Sequence, residues 1–150
     1  MAFTGSVLFQ RYFPKYPVVN SPQPHPGTTG IDLAISLRVV IVFVKIIPRP
    51  GQKQVIMDLF QSVRGPTSIK QGCTECSIYD KVNNDEAILY IEQWSSMEAL
   101  QQHIVSTLYT RVLAAMEFAG EQPEISFHEI AHTRGFEFVE ALRARQLRKN

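Results

Sequence analysis

From Val39 to Ile47 the chain reads Val-Val-Ile-Val-Phe-Val-Lys-Ile-Ile, and Lys45 is the sole polar residue of the run. Branching at Cβ favours the extended conformation, in which successive side chains point to opposite faces. Arg38 to Ile47 is therefore a strand that is apolar on both faces, and Pro48 and Pro50 end it. Both of its faces have to be covered. Any fold open to this chain must sandwich that strand.

The next segments supply one cover. Gly51 to Val63 places Val55, Ile56, Leu59, Phe60 and Val63 at helical spacing, and Gly65-Pro66 is expected to stop the helix. Gly72 to Val82 reads as a second strand, Asn83-Asn84-Asp85 as a turn, and Glu86 to Trp94 as a third strand, together a β-hairpin. Ser95 or Ser96 caps a helix with Glu98 or Ala99 in its first turn. Leu100, Ile104, Leu108, Val112 and Ala115 carry its apolar stripe towards Ala119, with Thr107 marking a break between two shorter helices. After Gly120 and Pro123, Glu124 to His132 alternates as a fourth strand, with Ile125, Phe127 and Ala131 opposite Ser126, His128, Ile130 and His132. A last helix runs from Phe136 to about Leu147.

The order β-α-β-β-α-β belongs to the α+β class and specifies a ferredoxin-like split β-α-β sandwich, in which helices cover one face of a four-stranded antiparallel sheet. The other face is left bare. Ile88 and Tyr90 oppose Leu89 and Ile91 on the third strand, so that face too is apolar. Packing against the sheet of an identical chain is the natural solution, and a homodimer is expected.

At 150 residues the chain is most simply one domain, able to bury roughly two-thirds of its unfolded surface. Residues 1–37 differ in character from the rest of the chain. Pro14, Pro17, Pro22, Pro24 and Pro26 punctuate a segment that still holds Phe3, Phe9, Tyr12, Phe13 and Tyr16, so it reads as an arm that lies along the domain or a partner subunit, or else stays disordered. The expected division is an arm over 1–37, the sandwich over 38–134, and a C-terminal helix with a basic tail over 135–150.

A formal net charge of +1 offers no global field for nucleic acid or a membrane surface. No stretch reaches the ~20 apolar residues of a membrane span. Arg11 and Lys15 do not precede an apolar core as in a secretory signal, so a cytoplasmic location is the expectation. Cys73 and Cys76 share a C-x-x-C spacing, but on a strand residues three apart point to opposite faces about 10 Å apart, so two independent thiols are expected. His128 and His132 have the spacing of a metal pair on a helix, but on a strand they lie about 13 Å apart, and no shared metal site is expected. Arg143, Arg145, Arg148 and Lys149 complement the dipole of the last helix.

The candidate for chemistry is Gln93-Trp94 with His103. The chain's single tryptophan closes the third strand at its junction with a helix that carries a titratable imidazole. An indole offers a stacking face and one N–H, and an imidazole can take or return a proton near neutral pH. On a helical wheel His103 falls about 60° from Leu100, at the edge of the apolar stripe, where it either lines a cleft or bonds to backbone. Trp94 is either a platform for a flat ligand or a core plug.

The segment Ile91-Glu92-Gln93-Trp94-Ser95-Ser96-Met97-Glu98-Ala99-Leu100-Gln101-Gln102-His103, with Pro50-Gly51-Gln52 after the first strand and Gly72-Cys73 opening the second, resembles the antibiotic biosynthesis monooxygenase family. The quinol monooxygenase-like members are the most similar, and the resemblance runs from about Arg38 to Ile130. It implies a dimeric α+β barrel with one pocket per subunit between sheet and helices. It also implies oxidation of a small aromatic substrate (a quinol, phenol or anthrone) by molecular oxygen, without flavin, haem or metal. In that scheme Trp94 positions the ring and His103 manages the proton, while Tyr79, Tyr90, Tyr109 and Arg111 are substrate-binding candidates beside their ordinary readings as sheet, rim or surface residues.

Two departures qualify the resemblance. Many quinol monooxygenase-like members carry a second histidine a few residues after the first, where this chain has Ser106-Thr107-Leu108-Tyr109, so either Tyr109 substitutes or the activity is absent. The haem-degrading branch places an asparagine on the first strand, and Val39 to Lys45 has none, which argues against haem degradation. The alternative from another class is a non-catalytic small-ligand-binding or assembly module of the same fold.

Overall fold

A computed structural model describes residues 38–81 and 86–148. The expected arm over 1–37, the turn at 83–85 and Lys149 lie outside the described residues. The elements in chain order are β1 (Val40–Ile46), α1 (Lys53–Ser68), β2 (Cys73–Asp80), β3 (Ile88–Trp94), α2 (Met97–Ile104), a 3-10 turn (Thr107–Tyr109), α3 (Thr110–Met116), β4 (Glu124–Glu129) and α4 (Phe136–Leu147). The four strands form one antiparallel sheet in the order β2-β3-β1-β4, the split β-α-β arrangement expected from the sequence.

Strand β1 sits inside the sheet, with β3 on one side and β4 on the other. Its alternate residues Val40, Val42, Val44 and Ile46 are fully buried and pack with Ile56, Phe60 and Val63 of α1, Leu100 of α2, and Val112, Ala115 and Met116 of α3. Ile41 and Phe43 of β1, with Leu89 and Ile91 of β3, occupy the opposite face and are only half-buried. The chain therefore supplies one cover for its doubly apolar strand.

Ser96 caps α2, its hydroxyl accepting from the Ala99 amide at 3.2 Å, and Glu98 lies in the first turn. The break expected at Thr107 is the 3-10 turn between α2 and α3. Helix α1 does not stop at Gly65-Pro66 but continues to Ser68. In the last turn Pro66 forgoes only the bond to the Ser62 carbonyl, the Ser68 hydroxyl donates to the Gly65 carbonyl at 2.8 Å, and fully buried Thr67 anchors the end. Val55, expected on the apolar stripe, is exposed. Strand β4 ends at Glu129 and not at His132, because its partner β1 begins at Val40; one further amide, that of Ile130, still donates to the Val39 carbonyl at 2.8 Å.

The cysteines correct an expectation. Strand β2 carries a bulge between Cys73 and Glu75, so Cys73 pairs with Trp94 while Cys76 pairs with Glu92. Trp94 and Glu92 are two residues apart and share the covered face. The extra residue in β2 thus turns both thiols to that face instead of opposite ones. They are free, Cys76 buried and Cys73 half-buried.

Candidate functional site

Strand β3 presents Ile88, Tyr90, Glu92 and Trp94 to the helices, and all four are buried. Three of these suit a core; the carboxylate does not. Glu92 is fully buried, flanked in register by Val42 of β1 and Cys76 of β2. Leaving a carboxylate unpaired in such a place costs several kcal/mol. Side-chain donors meet it on both oxygens. Tyr90 Oη donates to Oε1 at 2.7 Å, Trp94 Nε1 donates to Oε2 at 2.9 Å, and His103 Nε2 lies 3.0 Å from Oε1.

His103 reaches Glu92 because α2 buries Leu100 and His103, an i, i+3 pair, while Ile104 is only half-buried. The imidazole is thus not at the edge of the stripe, as the helical wheel placed it. The short helix ends at Ile104, and its buried side is set by that pair. His103 is 1% exposed and stacks on the indole of Trp94, with centroids 4.9 Å apart and an interplanar angle of 27°. The ring of Tyr109 meets it edge-on at 5.3 Å.

The other imidazole nitrogen decides the tautomer. Lys70 Nζ lies 3.1 Å from His103 Nδ1 and donates to Ser106 Oγ at 3.0 Å. An ammonium can only donate, so Nδ1 accepts and the ring hydrogen sits on Nε2, where it donates to Glu92. Lys70 is placed by the tight connection between α1 and β2: its amide bonds to the Thr67 carbonyl at 3.0 Å, and its carbonyl accepts from the Cys73 amide at 3.1 Å. The result is a continuous line of hydrogen bonds, Lys70 to His103 to Glu92, running from a half-buried ammonium to an enclosed carboxylate.

The flanking groups stay protonated. Burial foremost, then the charge of Glu92, raise the hydroxyls of Tyr90 and Tyr109 well above the ordinary tyrosine range. Burial pushes the Cys76 thiol up to about 12, against a bond to Tyr90 that lowers it; its Sγ donates to Tyr90 Oη at 3.2 Å. Burial also raises Cys73.

The residues singled out in the sequence therefore divide. Trp94, His103, Tyr90 and Tyr109 come together, although Tyr90 is committed to Glu92 and the Tyr109 hydroxyl has no partner among the described residues. Tyr79 and Arg111 do not join them. Tyr79 is half-exposed on the open face and, with Met57, Gln61, Arg64, Ser77 and Ile78, lines a cleft of about 380 Å³ that none of Trp94, Glu92 and His103 lines. Arg111 is exposed on α3.

Glu92, Lys70 and Ser106 were missed. For Glu92 a signal existed: in Tyr90-x-Glu92-x-Trp94 the period of two puts a carboxylate on the same face as two large aromatics. For Lys70 and Ser106, both in connections, no periodicity speaks.

The profile of the family described as antibiotic biosynthesis monooxygenase matches residues 39–115, which include β1 through most of α3 and every member of this cluster. Solved structures agree in fold. A conserved protein from Methanosarcina mazei Go1 is 24% identical with a TM-score of 0.57, over 65% of this chain and 97% of that one. Proteins provisionally named antibiotic biosynthesis monooxygenases are similar as well. The one from Deinococcus radiodurans is 15% identical with a TM-score of 0.58, over 64% of this chain and 96% of that one. The one from Caulobacter crescentus CB15 is also 15% identical with a TM-score of 0.58, over 69% of this chain and 100% of that one. Among curated proteins none matches. Since the profile spans more than half of the 150 residues, the chain belongs to the antibiotic biosynthesis monooxygenase family.

Proposed function

We propose that this protein is a cofactor-independent monooxygenase that oxidises a small aromatic substrate, a quinol, phenol or anthrone, with molecular oxygen. The observation that carries the reading is the buried pair of Glu92 Oε1 and His103 Nε2 at 3.0 Å, which leaves Nδ1 as the nitrogen with a lone pair. A carboxylate behind an imidazole fixes its tautomer and stabilises the imidazolium formed when the free nitrogen takes a proton. That is the equipment of a general base. Tyr90 and Trp94 complete the carboxylate's bonds, so Trp94 acts by holding Glu92 and backing the imidazole, beside any contact with a substrate ring.

The chemistry then rests with the substrate. His103 removes a proton from the phenol or the activated carbon, the anion passes one electron to oxygen, and the radical pair joins through a new C–O bond. Loss of water from the peroxide leaves a carbonyl. One ring CH2, or one CH of a phenol with its hydroxyl hydrogen, plus O2 becomes C=O plus H2O, so the substrate supplies every electron.

Two chains with their open faces together would cover Ile41, Phe43, Leu89 and Ile91, and we propose the homodimer as the working form. A second reading, a non-catalytic ligand-binding or assembly module, draws on the closure of the cluster: His103 occupies a face of the indole, and both rings are 1% exposed. Oxygen consumption with a panel of quinols, phenols and anthrones separates the two. Uptake that falls at least about a hundredfold in folded His103→Ala supports the monooxygenase. No uptake by the wild type across the panel, or an unchanged rate in the variant, favours the module.

A further inference from the structure

Lys70 is anomalous as a surface lysine. Its ammonium is half-buried and is held by two neutral acceptors, His103 Nδ1 at 3.1 Å and Ser106 Oγ at 3.0 Å. Among the described residues no carboxylate pairs with it; Glu92 is reached only through the imidazole. Ser106 is itself fixed by donating to the His103 carbonyl at 2.6 Å. A cation in a partly desolvated place without a counter-ion attracts one. Here it also sits on the lone pair that the proposed base needs.

We infer that Lys70 is the site's oxyanion holder, and that the ligand it takes is a phenol bound as its phenolate, the oxygen inserting between Lys70 Nζ and His103 Nδ1. The inference deepens the proposed function and rests on it for the identity of the base. The phenol O–H bond breaks, its proton forms an N–H bond at Nδ1, and the electron pair stays on the oxygen, which Lys70 then faces. No oxidant takes part in this step. The charges along the line alternate in sign: Glu92 carboxylate, His103 imidazolium, phenolate, Lys70 ammonium. Without a ligand the same lysine covers Nδ1, so the base is open only when an oxygen has taken its place. The long flexible stem of lysine permits that small displacement, which a rigid guanidinium fork would not reproduce.

A second unmatched group borders the same imidazole. Tyr109, whose ring meets His103, is 4% exposed, and its hydroxyl has no partner among the described residues. Thr67, whose carbonyl accepts from the Lys70 amide, holds another buried hydroxyl in that state. Buried hydroxyls in native proteins normally have partners, and an unmatched one in a wall is what a polar ligand or a water completes.

The test uses 4-nitrophenol, whose phenolate is yellow and whose neutral form is not, titrated against the full chain without oxygen so that turnover plays no part. Wild-type protein should bind it with the phenolate-to-phenol ratio raised at least about tenfold over free solution at the same pH. Lys70→Met, with its melting temperature checked, should bind it without that rise, and His103→Gln should lose the rise as well. Lys70→Arg should recover only part of it. A bound phenolate fraction equal in wild type and Lys70→Met overturns the inference, as does failure of the wild type to bind at millimolar 4-nitrophenol. If the phenolate signature is present while no quinol, phenol or anthrone is oxidised in air, this inference stands and the monooxygenase reading falls. Oxidation in air with no dependence on Lys70 gives the reverse.

Discussion

Glu92 Oε1 and His103 Nε2 lie 3.0 Å apart with both side chains wholly enclosed, one from the middle of a sheet and the other from the helix above it. Removing the charge while keeping the shape isolates what this pair does. In Glu92→Gln one amide group must face either Trp94 Nε1 or the donors at the other oxygen, so two donors meet and one stays unpaired. The variant should lose about 3 kcal/mol in urea unfolding with an unchanged m-value. A variant as stable as the wild type would show that the charge of Glu92 contributes nothing to the stability of the fold.

Gly72 predicts a strain at the edge of the site. Its φ is +89°, and a Cβ there would stand 2.5 Å from Cβ of Ala99 and 3.3 Å from Oγ of Ser95. Gly72→Ala should destabilise by at least about 1–2 kcal/mol from the left-handed backbone alone. Adding Ala99→Gly should recover the steric part and leave the backbone part. Melting temperatures of the single and double variants measure both, and full recovery would show that the backbone is not strained.

Alkaline pH should weaken the fold in a definite window. The Cys76 thiol is raised from an ordinary 9.0 to about 12 in the folded protein, so the unfolded chain loses its proton first. Its contribution is whole below about pH 9 and is lost as the pH climbs towards 12, with a slope near 1.4 kcal/mol per pH unit. The raised hydroxyls of Tyr90 and Tyr109 add to the decline above pH 10, their ordinary value. Cys76→Ala should reduce the earliest part of the fall in urea midpoints measured from pH 8 to 11, leaving the share of the Cys73 thiol, which burial also raises. An identical profile in that variant would exclude the thiol.

The open face of the sheet makes its own prediction. Phe43, half-buried between Ile91 and Ser126 of the neighbouring strands, meets His128 edge-on at 5.4 Å. If two sheets pack there, Phe43→Glu should convert the dimer to a folded monomer in light scattering, because a charge would be buried without a partner. A wild-type mass of one chain, or a dimer unmoved by the substitution, removes this face from the assembly.

The architecture was legible because it is written in periods. The β-branched run at Val40–Ile46, the helical spacing of Ile56, Phe60 and Val63, and the serine before α2 each act through neighbours close in sequence. What failed depended on the third dimension. One extra residue in β2 reversed the side of a cysteine, a buried threonine carried α1 past its proline, and a short helix turned His103 fully inward. The site was half legible for the same reason. Trp94 and His103 are distinctive residue types at a junction, whereas Lys70 and Ser106 gain their meaning only where two connections meet around an imidazole.

Of the donors that meet Glu92 among the described residues, Tyr90 and Trp94 stand two residues before and after it on the same strand, and only His103 comes from elsewhere. Strand β3 thus carries most of the carboxylate's inner shell with it from the moment it is extended, and the last bond forms when α2 docks. A helix slipped back by one turn would bring Ala99 or Leu100 opposite the carboxylate, and neither side chain has a hydrogen to give. The enclosed acid is a gauge of alignment: it accepts the helix where His103 meets it and penalises a helix set one turn back along the sheet.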